Sequence, residues 1–151
     1  MTGIDIQVAC ETPGIPSRRA IRNWVRAALG DRARAELTVR IVDLAEGREL
    51  NRRWRGADRA TNVLSFPATD VEHVAPGLLG DIVICAPVVM REASEQHKAP
   101  AAHWAHMVIH GVLHLLGHDH ESDRDARRME KLELEILATL GYPDPYQVEP
   151  A

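Results

Sequence analysis

The chain has 151 residues, 45% of them hydrophobic and 26% charged, the composition of one ordinary globular domain with a core of its own. The formal net charge is −4, which taken alone argues against a nucleic-acid partner, and no run of 18 apolar residues offers a membrane span. The N-terminus lacks the basic start and apolar core of a signal peptide, so a cytoplasmic protein is expected.

Ile4, Ile6 and Val8 alternate with polar residues and predict a first strand, broken by Pro13, Gly14 and Pro16. Ser17 then caps a helix to about Leu29 whose apolar face holds Ile21, Trp24, Val25 and Ala28, with Gly30 as its stop. Leu37, Val39 and Ile41 give a second strand. Asp43 and Glu46 form a capping-box pattern that opens a helix to about Arg55, closed by Gly56. Asn62 to Phe66 reads as a third strand, residues 68–77 as an acidic turn-rich loop, and Leu78 to Cys85 as a fourth strand. Helices follow from about Pro87 to His97 and from about Ala101 to Leu116. A last one starts near Ser122, turning Met129, Leu132, Ile136, Leu137 and Leu140 inward and ending at Gly141. Residues 1–141 are expected to form a single catalytic domain and 142–151 a loosely ordered tail.

This order predicts an α+β domain. A four-stranded mixed sheet, three strands parallel and one antiparallel, is packed with about five helices. The helical crossovers suggest that the first three strands share a direction and the fourth opposes them. Cys10 and Cys85 are too few and too distant in sequence for a metal knuckle or disulfide framework, and each is read as a buried free thiol.

The stretch His110-Gly111-Val112-Leu113-His114-Leu115-Leu116-Gly117-His118-Asp119-His120 carries the most chemistry. His110 and His114 share a helix face one turn apart. Gly117 can take the left-handed conformation that ends a helix, and His120 can return toward the same point. Three neutral imidazoles leave a fourth position open on a tetrahedral zinc, the arrangement of a catalytic site. His106 and His110 form a competing pair with the same spacing, and a polar histidine face without metal is the plain alternative. His118 is read as a non-ligand. A zinc held this way acidifies bound water and polarises a carbonyl or phosphoryl oxygen, so peptide or phosphodiester hydrolysis is expected.

The spacing H-x-x-x-H-x-x-G-x-x-H is that of the metzincin proteases, whose general-base glutamate is here Gly111. A protease would need another base, Asp119 or Glu121. RNA cleavage tolerates the loss better, because the 2′-hydroxyl can serve as nucleophile while metal and arginine stabilise the charge. Residues 17–59 hold 12 of the 18 basic residues, all arginine, against 6 acidic ones, which suits a polyanion partner or two solvated helices. Arg55 and Arg59 stand nearest the third strand, although an arginine at a helix C-terminus is also favourable on dipole grounds alone.

Four segments together resemble the YbeY-type bacterial endoribonucleases of ribosomal RNA maturation and quality control: Leu50 to Arg55, Thr61 to Pro67, Leu79 to Cys85, and His110 to His120. The resemblance implies one Zn2+ on His110, His114 and His120, and a part for Arg55 in RNA binding or cleavage. It implies a single-strand endoribonuclease that processes the 16S rRNA 3′ end, with the small ribosomal subunit or its proteins as partners. It places Asn62 and Ser65 along the cleft and Asp81 in a further motif. Trp54 stands where the family often has tyrosine, and His118 where it often has another aromatic. Beside this reading stand a metalloprotease with a non-standard base and a non-catalytic ribosome assembly factor. The oligomeric state is left open.

Overall fold

A computed structural model of the chain describes residues 2–32, 34–68, 75, 77–119 and 121–146. In chain order the elements are β1 (Thr2–Val8), α1 (Arg18–Leu29), β2 (Ala35–Val42), α2 (Leu44–Arg55), β3 (Val63–Pro67), β4 (Leu78–Cys85), α3 (Ala86–Glu95), α4 (Pro100–Leu115) and α5 (Asp123–Thr139). The strands form one sheet in the order β1-β2-β4-β3. β1, β2 and β4 run parallel, and β3 lies antiparallel on β4 with Ser65 opposite Ile82. Three strands therefore agree and one is reversed, but the reversed strand is β3, not the fourth. The cause is the seven-residue connection after α2. From Gly56, which takes a left-handed conformation, the chain returns to the end of the sheet where β4 finishes, and Cys85 N–H donates to the carbonyl of Asn62 there at 2.9 Å. A connection of that length covers the rise of a 12-residue helix, so the strand after it is free to run either way.

The strict alternation in the strands gives the sheet two different faces. On the first, Ile6, Leu37, Val39, Ile41, Ile82 and Ile84 join the apolar stripes of α1, α4 and α5 in the main core. On the second, α2 covers a smaller cluster of Val42, Leu64, Val83 and Cys85. α4 packs against α1, α3, α5, β3 and β4 at once. It is accordingly apolar on nearly every side, as a helix through the middle of a domain must be. Trp104 in α4 is fully buried and donates its indole N–H to the sulfur of Met90 at 3.2 Å.

Local signals fix the helix starts. The side chains of Ser17, Asp43 and Ser122 accept from Ala20, Glu46 and Asp125 N–H at 3.1, 2.9 and 3.1 Å. The capping box at α2 is only half formed, because the Glu46 carboxylate turns to Arg40 on β2 instead of back to Asp43. At the start of β3, Asn62 donates to Glu92 of α3 at 3.0 Å, and Glu92 also meets the buried His103 of α4 at 3.0 Å. These three residues tie the edge strand to two helices. Burial pushes the His103 pKa down, with Glu92 pulling the other way.

Cys10 is half-buried and Cys85 buried, both as free thiols. After α5 the chain folds back: Tyr142 sets its ring edge-on to Trp24 at 6.4 Å. Residues 147–151 and most of the acidic loop, 69–74 and 76, lie outside the described residues. Among the described residues no helix is long and apolar enough to cross a membrane.

Candidate metal centre

The C-terminal half of α4 carries the histidines. Its end is closed by a Schellman turn: Gly117 N–H donates to the carbonyl of His114 at 3.0 Å and His118 N–H to that of Leu113 at 3.1 Å. Gly117 has φ +99°, the left-handed backbone expected of it. Beyond the turn His118 and Asp119 are half-buried. His120 lies outside the described residues.

His110 and His114 meet as their spacing predicts. Their Nε2 atoms stand 3.1 Å apart, with ring centroids 4.6 Å apart. Two nitrogens on one tetrahedral zinc stand about 3.3 Å apart, given Zn–N bonds of about 2.0–2.1 Å, so this pair fits a shared cation.

The other side of His110 is held by a residue that the sequence did not single out. Glu133 of α5 is fully buried, and its Oε2 accepts from His110 Nδ1 at 3.3 Å and from His106 Nε2. Its Oε1 accepts from the Tyr146 hydroxyl at 2.9 Å. Burial pushes the Glu133 carboxyl upward, and the hydrogen bonds from His106 and His110 outweigh it, holding the pKa at about 2. Burial and the neighbouring carboxylate push the Tyr146 phenol up. His106, His110 and Glu133 each bring one ligand atom within 4.8 Å of the others, so this His-His-Glu set could also hold a metal ion. The competing pair His106/His110 thus has a carboxylate beside it. The signal was present in the sequence: 129, 133 and 137 make one helical stripe, with Met129 and Leu137 buried on either side of the carboxylate.

Gly111 faces the sheet, not the histidine cluster. A β-carbon added there would stand 2.8 Å from Cγ2 of Ile82, which is fully buried. The position that carries the general base in metzincins is closed here by packing between α4 and β4.

Arg55 ends α2 beside the edge strand. Its Nη2 donates to the carbonyl of Ser65 at 2.8 Å, and its guanidinium lies over the Phe66 ring at 5.2 Å. The Ser65 hydroxyl in turn donates to the carbonyl of Gly111 at 3.2 Å. A short chain of contacts therefore runs from the end of α2 across β3 to the histidine helix. The neighbouring arginines are partly committed: Arg48 pairs with Asp58 and Arg52 with Glu49, at 2.8 and 2.7 Å. Asn62 is engaged with Glu92. Asp81 lies on the second face of the sheet, in a groove of about 540 Å³ shared with Arg40, Trp54 and Phe66. It is turned away from the histidines, since its neighbour Ile82 meets Gly111.

The family model described as Endoribonuclease YbeY matches residues 7–141. A Stenotrophomonas maltophilia protein named Endoribonuclease YbeY is 56% identical over 153 residues, covering 97% of this chain and 95% of its own. One of the same name from Pseudomonas syringae pv. tomato is 56% identical over 148 residues, covering 97% and 89%. The solution structure of TM1509 from Thermotoga maritima superposes with a TM-score of 0.54 at 28% identity, covering 94% of this chain and 99% of that one.

Proposed function

The chain belongs to the YbeY family of endoribonucleases, and from that premise we propose that it is a zinc-dependent endoribonuclease of single-stranded RNA. It acts in the cytoplasm in ribosomal RNA maturation, including the 16S rRNA 3′ end, and in ribosome quality control. The small ribosomal subunit or its proteins are its partners there. The zinc ligands are His110, His114 and His120, and Arg55 contacts the RNA. The observation that supports this most is the approach of His110 Nε2 to His114 Nε2 just before the glycine turn that leads to position 120.

A zinc ion in this place supplies an acidified water and a Lewis acid for a phosphoryl oxygen. The chain supplies the positioning. α4 fixes the two imidazoles one turn apart, and Glu133 takes the Nδ1–H of His110, which leaves the Nε2 lone pair for the cation. Arg55 commits one N–H to Ser65, and its other donors have no protein partner among the described residues. A planar cation held at the rim of an edge strand suits phosphate oxygens. The closed position 111 weakens the case for a protease, because the helix offers no carboxylate there.

The test is cleavage of single-stranded RNA by the purified protein, with and without chelator, beside His114→Ala and Arg55→Ala. Chelation and His114→Ala should abolish cleavage. Arg55→Ala should lower it about 100-fold with the metal still bound. Equal cleavage by all samples would point to a contaminating nuclease and remove the support.

A further inference from the structure

We propose that Glu133 is the positioning residue of the cation site: a buried carboxylate that sets the tautomer and the tilt of His110 so that its Nε2 lone pair faces His114. The inference rests on the reading of His110 and His114 as metal ligands.

Among the described residues the carboxylate has three donors, and it is fully buried. His110 Nδ1 and His106 Nε2 address one oxygen, and the Tyr146 hydroxyl addresses the other. An imidazole that gives its Nδ1–H to a carboxylate carries its lone pair on Nε2, and the acceptor raises the basicity of that nitrogen. Nε2 of His110 is the atom that approaches His114. His106 addresses the same carboxylate through Nε2, and its buried Nδ1 has no partner among the described residues. His106 and Tyr146 therefore secure the carboxylate, which in turn secures His110.

A role for Glu133 as a ligand, beside His106 and His110, fits less well. It would require each imidazole to carry its proton on its other nitrogen, and for His106 that atom, Nδ1, is buried with no acceptor among the described residues. It would also take His110 through Nδ1, leaving its approach to His114 by Nε2 without purpose.

The arrangement also explains two features that the proposed reaction does not use. A carboxylate stands in the middle of the apolar stripe of α5, at a cost unless it is paired. Tyr146 is 44% exposed as a residue, yet its hydroxyl turns inward to that carboxylate.

The experiment measures the zinc dissociation constant by competition with a chromogenic chelator for the wild type, Glu133→Gln, Tyr146→Phe and His114→Ala. Long-range nitrogen–proton spectra of the zinc-loaded proteins report the His110 tautomer. The wild type should bind one zinc per chain, with His110 protonated at Nδ1 and metal-bound at Nε2. Glu133→Gln should weaken zinc by roughly 10–100-fold and broaden or shift the His110 signals. Tyr146→Phe, at the edge of the fold, should weaken it about threefold. Unchanged affinity and an unchanged His110 spectrum in Glu133→Gln would overturn the proposal. So would a wild-type spectrum with His110 metal-bound through Nδ1, which would make Glu133 a ligand. Should Glu133→Gln not fold, wild-type affinity in Tyr146→Phe is the overturning result. Wild-type affinity in His114→Ala would instead sink the reading of the site on which the inference rests.

Discussion

Gly111 shows how much one missing side chain decides. In the metzincin pattern this position supplies a base; here it supplies contact. α4 lies so close to β4 that a methyl group at 111 meets Ile82 at 2.8 Å. Gly111→Ala should cost about 1–3 kcal/mol in denaturant unfolding, because overpacking displaces a buried side chain and the helix with it. The gain in helix propensity, about 1 kcal/mol, offsets only part of this. A variant as stable as the wild type would mean that the two elements are less tightly joined than their geometry indicates. The cysteines offer a second check at this scale. Burial pushes the Cys85 thiol pKa up, while Cys10 is only half-buried. Alkylation of the native protein at neutral pH should mark Cys10 and spare Cys85 until denaturant is added. Equal labelling of both would contradict the packing of the smaller core under α2.

At the scale of elements, α5 links the turn at Tyr146 to the histidine helix, since it carries Glu133. Its start depends on Ser122, whose hydroxyl accepts from Asp125 N–H. Ser122→Ala should lower stability by about 1 kcal/mol by thermal or denaturant unfolding. No measurable change would show that the contacts of Met129 and Leu137 anchor the helix without the cap. What the sequence disclosed at this scale was local. Ser17, Asp43 and Ser122 announced helix starts, Gly117 announced the turn, and the fourfold spacing announced that His110 and His114 meet. What it withheld depends on partners far along the chain. The direction of β3 hangs on where a seven-residue connection comes to rest. Glu46 leaves its capping box for an arginine on the neighbouring strand. Asn62, which the resemblance sets along the cleft, also ties β3 to Glu92 and thence to His103. Glu133 carries little signal of its own, because a carboxylate in a helix is usually solvated. Its two buried neighbours in the stripe were the clue, but its donors are 23, 27 and 13 positions away.

For the whole molecule, the fold has a core that does not depend on metal. The sheet and four helices bury an extended aliphatic cluster on one face alone. Removing zinc by chelation should therefore lower the unfolding midpoint by about 10 °C, the size expected for loss of a tightly bound ligand, and leave the circular dichroism at 25 °C unchanged. Collapse of the spectrum at 25 °C would mark a structural zinc and favour the assembly-factor reading. Net charge also has a consequence. The protein is acidic overall, and beside Arg55 on α2 both Arg48 and Arg52 are held by carboxylates, so RNA binding at this end should rest on few phosphate contacts. With about three such contacts, log Kd should rise with log salt at a slope near 2. A flat salt dependence would remove Arg55 and its neighbours from the interface. The central claim remains that three imidazoles converge on one cation. Crystals of the zinc-loaded protein, measured across the zinc absorption edge, test it most directly. One anomalous peak about 2.1 Å from ring nitrogens of His110, His114 and His120 is the predicted result. A peak among His106, His110 and Glu133, or none near His114, would contradict it.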